Sequence, residues 1–159
     1  MPFSLIRFNL IDPTLDSESL SDRYKAMLEM AEFVDEHGFF MATFEEHHGA
    51  HNAWSPTPLM NAGTVLARTK NLSASISALL LPLHDPIRVA EDIAVIDLMS
   101  GGRLTVIFGL GYRPSEYQLM GKDWNSRGKI MDDCIQTLLD AWTGKPFQNK
   151  GPTHQITPS

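Results

Sequence analysis

The stretch Leu83–Arg103, LHDPIRVAEDIAVIDLMSGGR, followed directly by LTVIFGLG over 104–111, decides the fold. Asp85 stands where a helix needs an N-cap, and Pro86 takes the first helical position, where its missing N–H costs nothing. Ile87, Ala90, Ala94 and Leu98 recur at helical spacing. Gly101 and Gly102 stop the helix. A helix over Asp85–Ser100 that feeds a strand over Leu104–Gly109 is half of a βαβ unit. Such units build parallel sheets whose ligands sit at the C-terminal strand ends. For this strand, that end is Gly109-Leu110-Gly111.

The same alternation runs through the chain. Strands are expected at Phe3–Leu10, Phe39–Phe44 and Leu72–Leu81, the last apolar enough to suit burial on both faces. Helices are expected at Glu18–His37 and Pro56–Thr69, with Leu20, Tyr24, Met27, Ala31 and Val34 facing inward from the first. A short helix at Pro114–Gly121 and a longer one at Gly128–Trp142 follow, the latter with Asn125 or Ser126 as N-cap. From Gly144 onward the sequence is polar and rich in Pro and Gly, and reads as an extended tail or linker. The expected organisation is therefore a βα body over 1–143 and a tail over 144–159. Four βα units fit either an open doubly wound sheet or half of a (β/α)8 TIM-type barrel, and the tail favours the barrel. Half a barrel exposes edge strands and apolar surface, so a homo-oligomer (a dimer) or a second half is expected to cover them.

Composition excludes several function classes. The 159 residues carry 13 basic and 19 acidic side chains, a net charge of −6, which argues against nucleic acid or an anionic membrane as partner. No apolar run approaches the roughly 20 residues of a membrane span. The N-terminal MPFSLIRFNLID lacks the features of a secretory signal, and a single cysteine, Cys134, suits a reducing compartment, so a cytoplasmic protein is expected.

The candidate chemistry lies in the loops after the strands. His47 follows the second strand beside Glu46. It can exchange protons near neutral pH, or simply bond a neighbouring backbone group, and the residues alone leave both open. Glu45, Glu46, His47, His48 and His51 offer metal ligands, but HHGAH lacks the helical HExxH arrangement, and no metal site is assigned. Gly109 and Gly111 allow a flat ring or a phosphate close to the backbone; with Pro114 in place of a third glycine they are no dinucleotide fingerprint. Trp54, Tyr112 and Trp124 either line a pocket or pack. Glu91, Asp97 and Arg103 are expected to form a structural ion-pair network that ties helix to sheet.

Taken in order, four segments resemble the N-terminal half of the bacterial luciferase-like flavin monooxygenases over about Phe3–Phe147. They are Glu46-His47-His48, LPLHDPIRVAEDIAVIDLMSGGR, GLGYRPSEYQLMG and NSRGKIMDDCIQTLLDAW. The resemblance implies a (β/α)8 barrel with only its first four units in this chain. It implies reduced FMN used with O2 on a small organic substrate, or the deazaflavin F420 used for hydride transfer. It implies that His47 is catalytic and that Ser77, Ala78, Gly109, Leu110, Gly111 and Arg127 contact the cofactor. Ser77-Ala78 falls where the family often carries a non-proline cis peptide under the flavin ring. Leu110 stands where some members carry an arginine for the FMN phosphate, and Arg127 aligns with another phosphate contact. The expected activity is a flavin-dependent monooxygenase. The alternatives are an F420-dependent dehydrogenase or reductase, a non-catalytic flavin-binding or partner subunit, and an inactive fragment.

Overall fold

The structure, a computed structural model, describes residues 3–14 and 16–148 and the backbone of 153–154. Four strands, β1 (Leu5–Phe8), β2 (Met41–Phe44), β3 (Ser73–Leu79) and β4 (Leu104–Phe108), form one parallel sheet in chain order. The register aligns Phe8 with Phe44, Phe44 with Ile76 and Ile76 with Val106. Helices α1 (Ser17–Glu36), α2 (Pro58–Arg68) and α3 (Pro86–Ser100) connect the strands, and α4 (Pro114–Leu119) and α5 (Arg127–Ala141) follow β4. This is the α/β architecture of a (β/α)8-type barrel, with four successive βα units present.

The stretch that decided the fold behaves as its residues dictate. Asp85 accepts from the N–H groups of Ile87 and Arg88, Pro86 opens α3, and Gly101 closes it in the left-handed conformation at φ 69°. Helix α1 buries Met27, Ala31 and Val34, the expected stripe. Its N-terminus is capped by Asp16, which accepts from the Ser19 N–H.

Two expectations about α3 fail. Its buried face is Val89, Ala90 and Ile96, whereas Leu98 is 62% exposed. The helix sits rotated from the stripe read off its sequence because α2 and α5 pack on it from different sides. The ion-pair network among Glu91, Asp97 and Arg103 does not form. The Arg103 guanidinium instead donates to the carbonyls of Leu66, Leu72 and Ser100 and to the Thr69 hydroxyl. Five N–H donors in a rigid fork suit it to gathering carbonyls left open at element ends.

The sheet has two unlike faces. Ile6, Phe8, Ala42, Phe44, Ala74 and Ile76 lie toward the helices and build the core. The opposite face carries Arg7, Thr43, Ser75, Ser77 and Thr105, with Leu5 and Ile107 exposed. Strand β3 is thus not apolar on both faces: Ser73, Ser75 and Ser77 alternate with the core residues, and the Ser75 and Ser77 hydroxyls are hydrogen-bonded at 3.0 Å.

Beyond α5, β5 (Phe147–Gln148) pairs antiparallel with β6 (Thr153–His154). The remainder of the expected tail, 149–152 and 155–159, lies outside the described residues.

Candidate active site

A cleft of about 670 Å³ opens at the C-terminal ends of the strands. Each βα unit contributes to it: Arg7 from β1, Thr43 and the Glu45–His47 turn from β2, Ser77, Ala78 and Leu80 from β3, and Gly109–Tyr112 from β4. Parallel βα units place their loops together at this end, so residues distant in sequence converge here.

His47 is 7% exposed and lines the cleft. Its N–H donates to the Ser55 carbonyl at 3.0 Å. Its Nδ1 lies 3.0 Å from Glu116 Oε1, and its ring packs 4.0 Å from Trp54 and 5.6 Å from Tyr112, between centroids. An ionised carboxylate only accepts, so Nδ1 carries the hydrogen and Nε2 keeps a free lone pair when the imidazole is neutral. Glu116 is 1% exposed and comes from α4, a short helix in which no sequence pattern singles it out. Its Oε1 also accepts the His48 N–H at 3.0 Å, and Arg113 Nη1 lies 3.5 Å away. Glu116 Oε2 is buried without a hydrogen-bond partner among the described residues.

Trp54 is fixed by its Nε1–H, which donates to Glu45 Oε2 at 3.0 Å. Glu45 in turn is paired with the Arg7 guanidinium. This pair spans the ends of β1 and β2 and holds the indole against His47.

Behind His47 lies a second acidic centre. Glu46 is 2% exposed; its Oε1 is 2.7 Å from His48 Nε2 and 2.6 Å from His84 Nε2, and its Oε2 accepts the Leu80 N–H at 2.5 Å. Burial opposes ionisation of Glu46, but the two imidazoles and the Leu80 N–H outweigh it and bring the carboxyl down to about 2. His84, supplied by the turn before α3, replaces His51, which is exposed and outside this group.

The strand ends of β3 and β4 bring small residues to the cleft. The Ser77-Ala78 peptide bond is cis, where the family resemblance puts one. A Cβ on Gly109 would stand 2.8 Å from the Ala78 Cβ, so only glycine fits there. Gly111 is required for another reason, its φ of 73°, while its surroundings would accept a Cβ in ordinary contact. The Leu110 carbonyl accepts from the Tyr117 hydroxyl at 2.5 Å, which fixes the loop between the two glycines. Burial pushes that phenol's pKa up.

The structure therefore brings His47, Ser77, Ala78, Gly109, Leu110 and Gly111 into one cleft, together with Trp54 and Tyr112. Arg127 is not among the lining residues. Its guanidinium lies 3.8 Å over the Trp124 ring, and its Nη1 donates to the Trp124 carbonyl at 2.8 Å. Trp124 packs edge-on to Tyr117 rather than facing the cleft. Ser126 holds the N-cap position of α5, as expected, but makes no side-chain cap hydrogen bond, its hydroxyl donating instead to the Asp123 carboxylate.

The whole chain, residues 1–159, matches the sequence pattern of the luciferase-like monooxygenases. The chain belongs to that family. It is 27% identical over 158 residues to the oxygenase component of the flavin-dependent trigonelline monooxygenase of Acinetobacter baylyi, a match covering 98% of this chain and 43% of that protein. The oxygenating constituent of 3,6-diketocamphane monooxygenase from Pseudomonas putida, solved with FMN, superposes with a TM-score of 0.84 at 18% identity, over 97% of this chain and 42% of that one. The coenzyme F420-dependent tetrahydromethanopterin reductase of Methanopyrus kandleri superposes less well, with a TM-score of 0.65 at 16% identity, over 94% and 42%. The chain spans about two-fifths of the length of the curated relatives it matches. No helix among the described residues is long and apolar enough to cross a membrane.

Proposed function

We propose that the cleft holds reduced FMN and that the chain carries the flavin-side half of a monooxygenase site acting on a small organic molecule with O2. The observation that carries this reading is the meeting, in one cleft, of His47, bonded to Glu116, with Gly109 and the small side chain of Ala78. A planar ring system fits a surface of such small residues, and Trp54 and Tyr112 supply aromatic surface in the same cleft. A bound reduced flavin supplies the electrons for O2 activation. The chain's own residues do the rest. Ala78 and Gly109 would give the ring a surface to lie on, and Leu110 and Gly111 would offer main-chain groups to hold it. His47 Nε2 accepts or returns a proton at the reacting edge, while Glu116 keeps Nδ1 protonated and stabilises the imidazolium.

The phosphate grip is a separate part of the proposal. Arg127 would have to leave its place over Trp124 to reach a phosphate in the cleft, and Leu110 supplies no charge. These two observations weaken the FMN assignment and leave open a different phosphate grip or the second reading, an F420-dependent oxidoreductase on the same frame. A cytoplasmic protein and a homodimer are further parts of the proposal, supported by the single cysteine and by exposed Met60, Leu98 and Met99 on the outer helices.

Anaerobic titration of the chain with FMN, reduced FMN and F420, followed by fluorescence, tests the assignment. Saturable binding of reduced FMN with His47→Ala retaining affinity within about threefold, yet losing about 10²-fold or more in turnover, is the expected result. Preference for F420 would choose the second reading. Absence of binding to all three would remove both.

A further inference from the structure

We propose that Glu46, His48 and His84 form a binding site for a divalent transition metal ion, with Zn2+ as the best-suited ion. Glu46 Oε1, His48 Nε2 and His84 Nε2 lie within 4.8 Å of one another and converge from three separate segments: the end of β2, the loop after it, and the turn that leads into α3. Two imidazoles and a carboxylate are a donor set that zinc takes in open tetrahedral sites, and borderline-soft nitrogen with one oxygen disfavours Mg2+ and Ca2+. The outer shell is partly in place, since the Leu80 N–H already holds Glu46 Oε2. His48 and Glu46 are almost fully covered, whereas the His84 side chain is 30% exposed. The fourth position therefore opens beside His84, toward solvent, and gives the ion its entry path.

The geometry needs only a small adjustment. Metal–ligand bonds of about 2.0–2.2 Å in a tetrahedron separate the ligand atoms by about 3.3 Å. The carboxylate oxygen now stands 2.6 and 2.7 Å from the two Nε2 atoms, in hydrogen bonds. Each separation must widen by about 0.6–0.7 Å to admit the ion. The partly exposed His84 ring can supply its own part of that movement, and a shift of the Glu46 carboxylate or the His48 ring must supply the other. On binding, each Nε2 gives up any hydrogen it carries, to its own Nδ1 or to solvent, and presents its lone pair to the ion with no redox change. The ion would clamp the turn that carries His47 to the start of α3. The proposal does not depend on the flavin reading.

The test is calorimetric titration of metal-free protein with Zn2+, and with Co2+ for its visible tetrahedral bands. The expected result is one equivalent of Zn2+ bound, a raised Tm in its presence, and no comparable response to Mg2+. H84A and H48A should each weaken binding by about 10²-fold, while H51A, at an exposed histidine outside the group, should bind as the parent does. H84A changes a partly exposed residue, and its circular dichroism and Tm without metal verify that it folds. Failure of the parent protein to bind Zn2+, binding that survives both H48A and H84A, or binding that depends on His51 would each overturn the proposal.

Discussion

Glu46 and Glu116 are two carboxylates withdrawn from solvent at the same end of the sheet, and each holds a histidine. They differ in how their oxygens are used. Both oxygens of Glu46 are engaged: Oε1 by two imidazoles and Oε2 by the Leu80 N–H. Only one oxygen of Glu116 is engaged, by His47 and the His48 N–H, and Oε2 is buried with no partner among the described residues. Glu46 has the satisfaction expected of a structural carboxylate, because every buried acceptor it offers is used. Glu116 leaves desolvation uncompensated beside the one histidine that faces the cleft. Buried groups left in this state concentrate where a protein performs chemistry rather than where it maximises stability.

Glu46→Gln should widen this contrast most. The amide keeps the shape but brings an NH2 where only donors converge. With its oxygen on the Leu80 N–H, the amide is satisfied only if both imidazoles give up the hydrogen on Nε2 and accept from the NH2. The expected loss is about 2–4 kcal/mol, from the lost charge-assisted hydrogen bonds and the tautomer change forced on two histidines. For a domain of this size that corresponds to a Tm lower by about 5–15 °C, read by calorimetry. A fall of less than about 2 °C would show that Glu46 is as poorly engaged as Glu116 and erase the distinction.

Glu116→Gln should cost less in stability and more in function. The amide oxygen can still accept from His47 and the His48 N–H, and the NH2 replaces an oxygen that had no partner. The expected destabilisation is about 1 kcal/mol, measured from the denaturation midpoint at constant slope. The neutral amide cannot stabilise the His47 imidazolium, so turnover should fall by about tenfold or more, with flavin affinity held within a few fold. Equal losses in binding and turnover would mean that Glu116 supports the cleft rather than orienting His47.

The contrast also explains what the sequence discloses and what it conceals. The βα alternation was legible because Asp85, Pro86 and Gly101 punctuate α3 locally, and because caps and stops act within a few residues. His47, Gly109, Leu110 and Gly111 could be gathered because each lies just past a strand, and strand ends meet in parallel βα folds; Ser77 and Ala78, inside β3, were reached only through the family resemblance. Glu116 could not be found that way. It lies 69 residues from its histidine, on a short helix, and only the folded chain brings the two within 3.0 Å. His84 joined Glu46 for the same reason, although the sequence offered the nearer His51. Arg103 was misassigned because its charge suggested acids as partners, whereas the ends of α2 and α3 and the start of β3 present carbonyls instead. Leu98 was misassigned because periodicity gives a helix face but not its rotation against neighbours.

Arg113→Gln is the finest probe of the comparison. Arg113 is the cation nearest the half-used carboxylate, at 3.5 Å from Glu116 Oε1, with a side chain 30% exposed. The separation exceeds hydrogen-bonding length, and water screens the partly exposed guanidinium, so its contribution to stability should stay within about 0.5 kcal/mol. It nonetheless bears on the same oxygen, Glu116 Oε1, that lies 3.0 Å from His47 Nδ1. Removing the cation should therefore leave the denaturation midpoint almost unchanged while lowering turnover about two- to threefold, the range of a weak, screened charge. In a Glu116→Gln background the same substitution should do nothing to turnover, because the charge it acts on is gone. A full effect in that background would place Arg113 in direct contact with substrate or cofactor and separate it from Glu116 altogether.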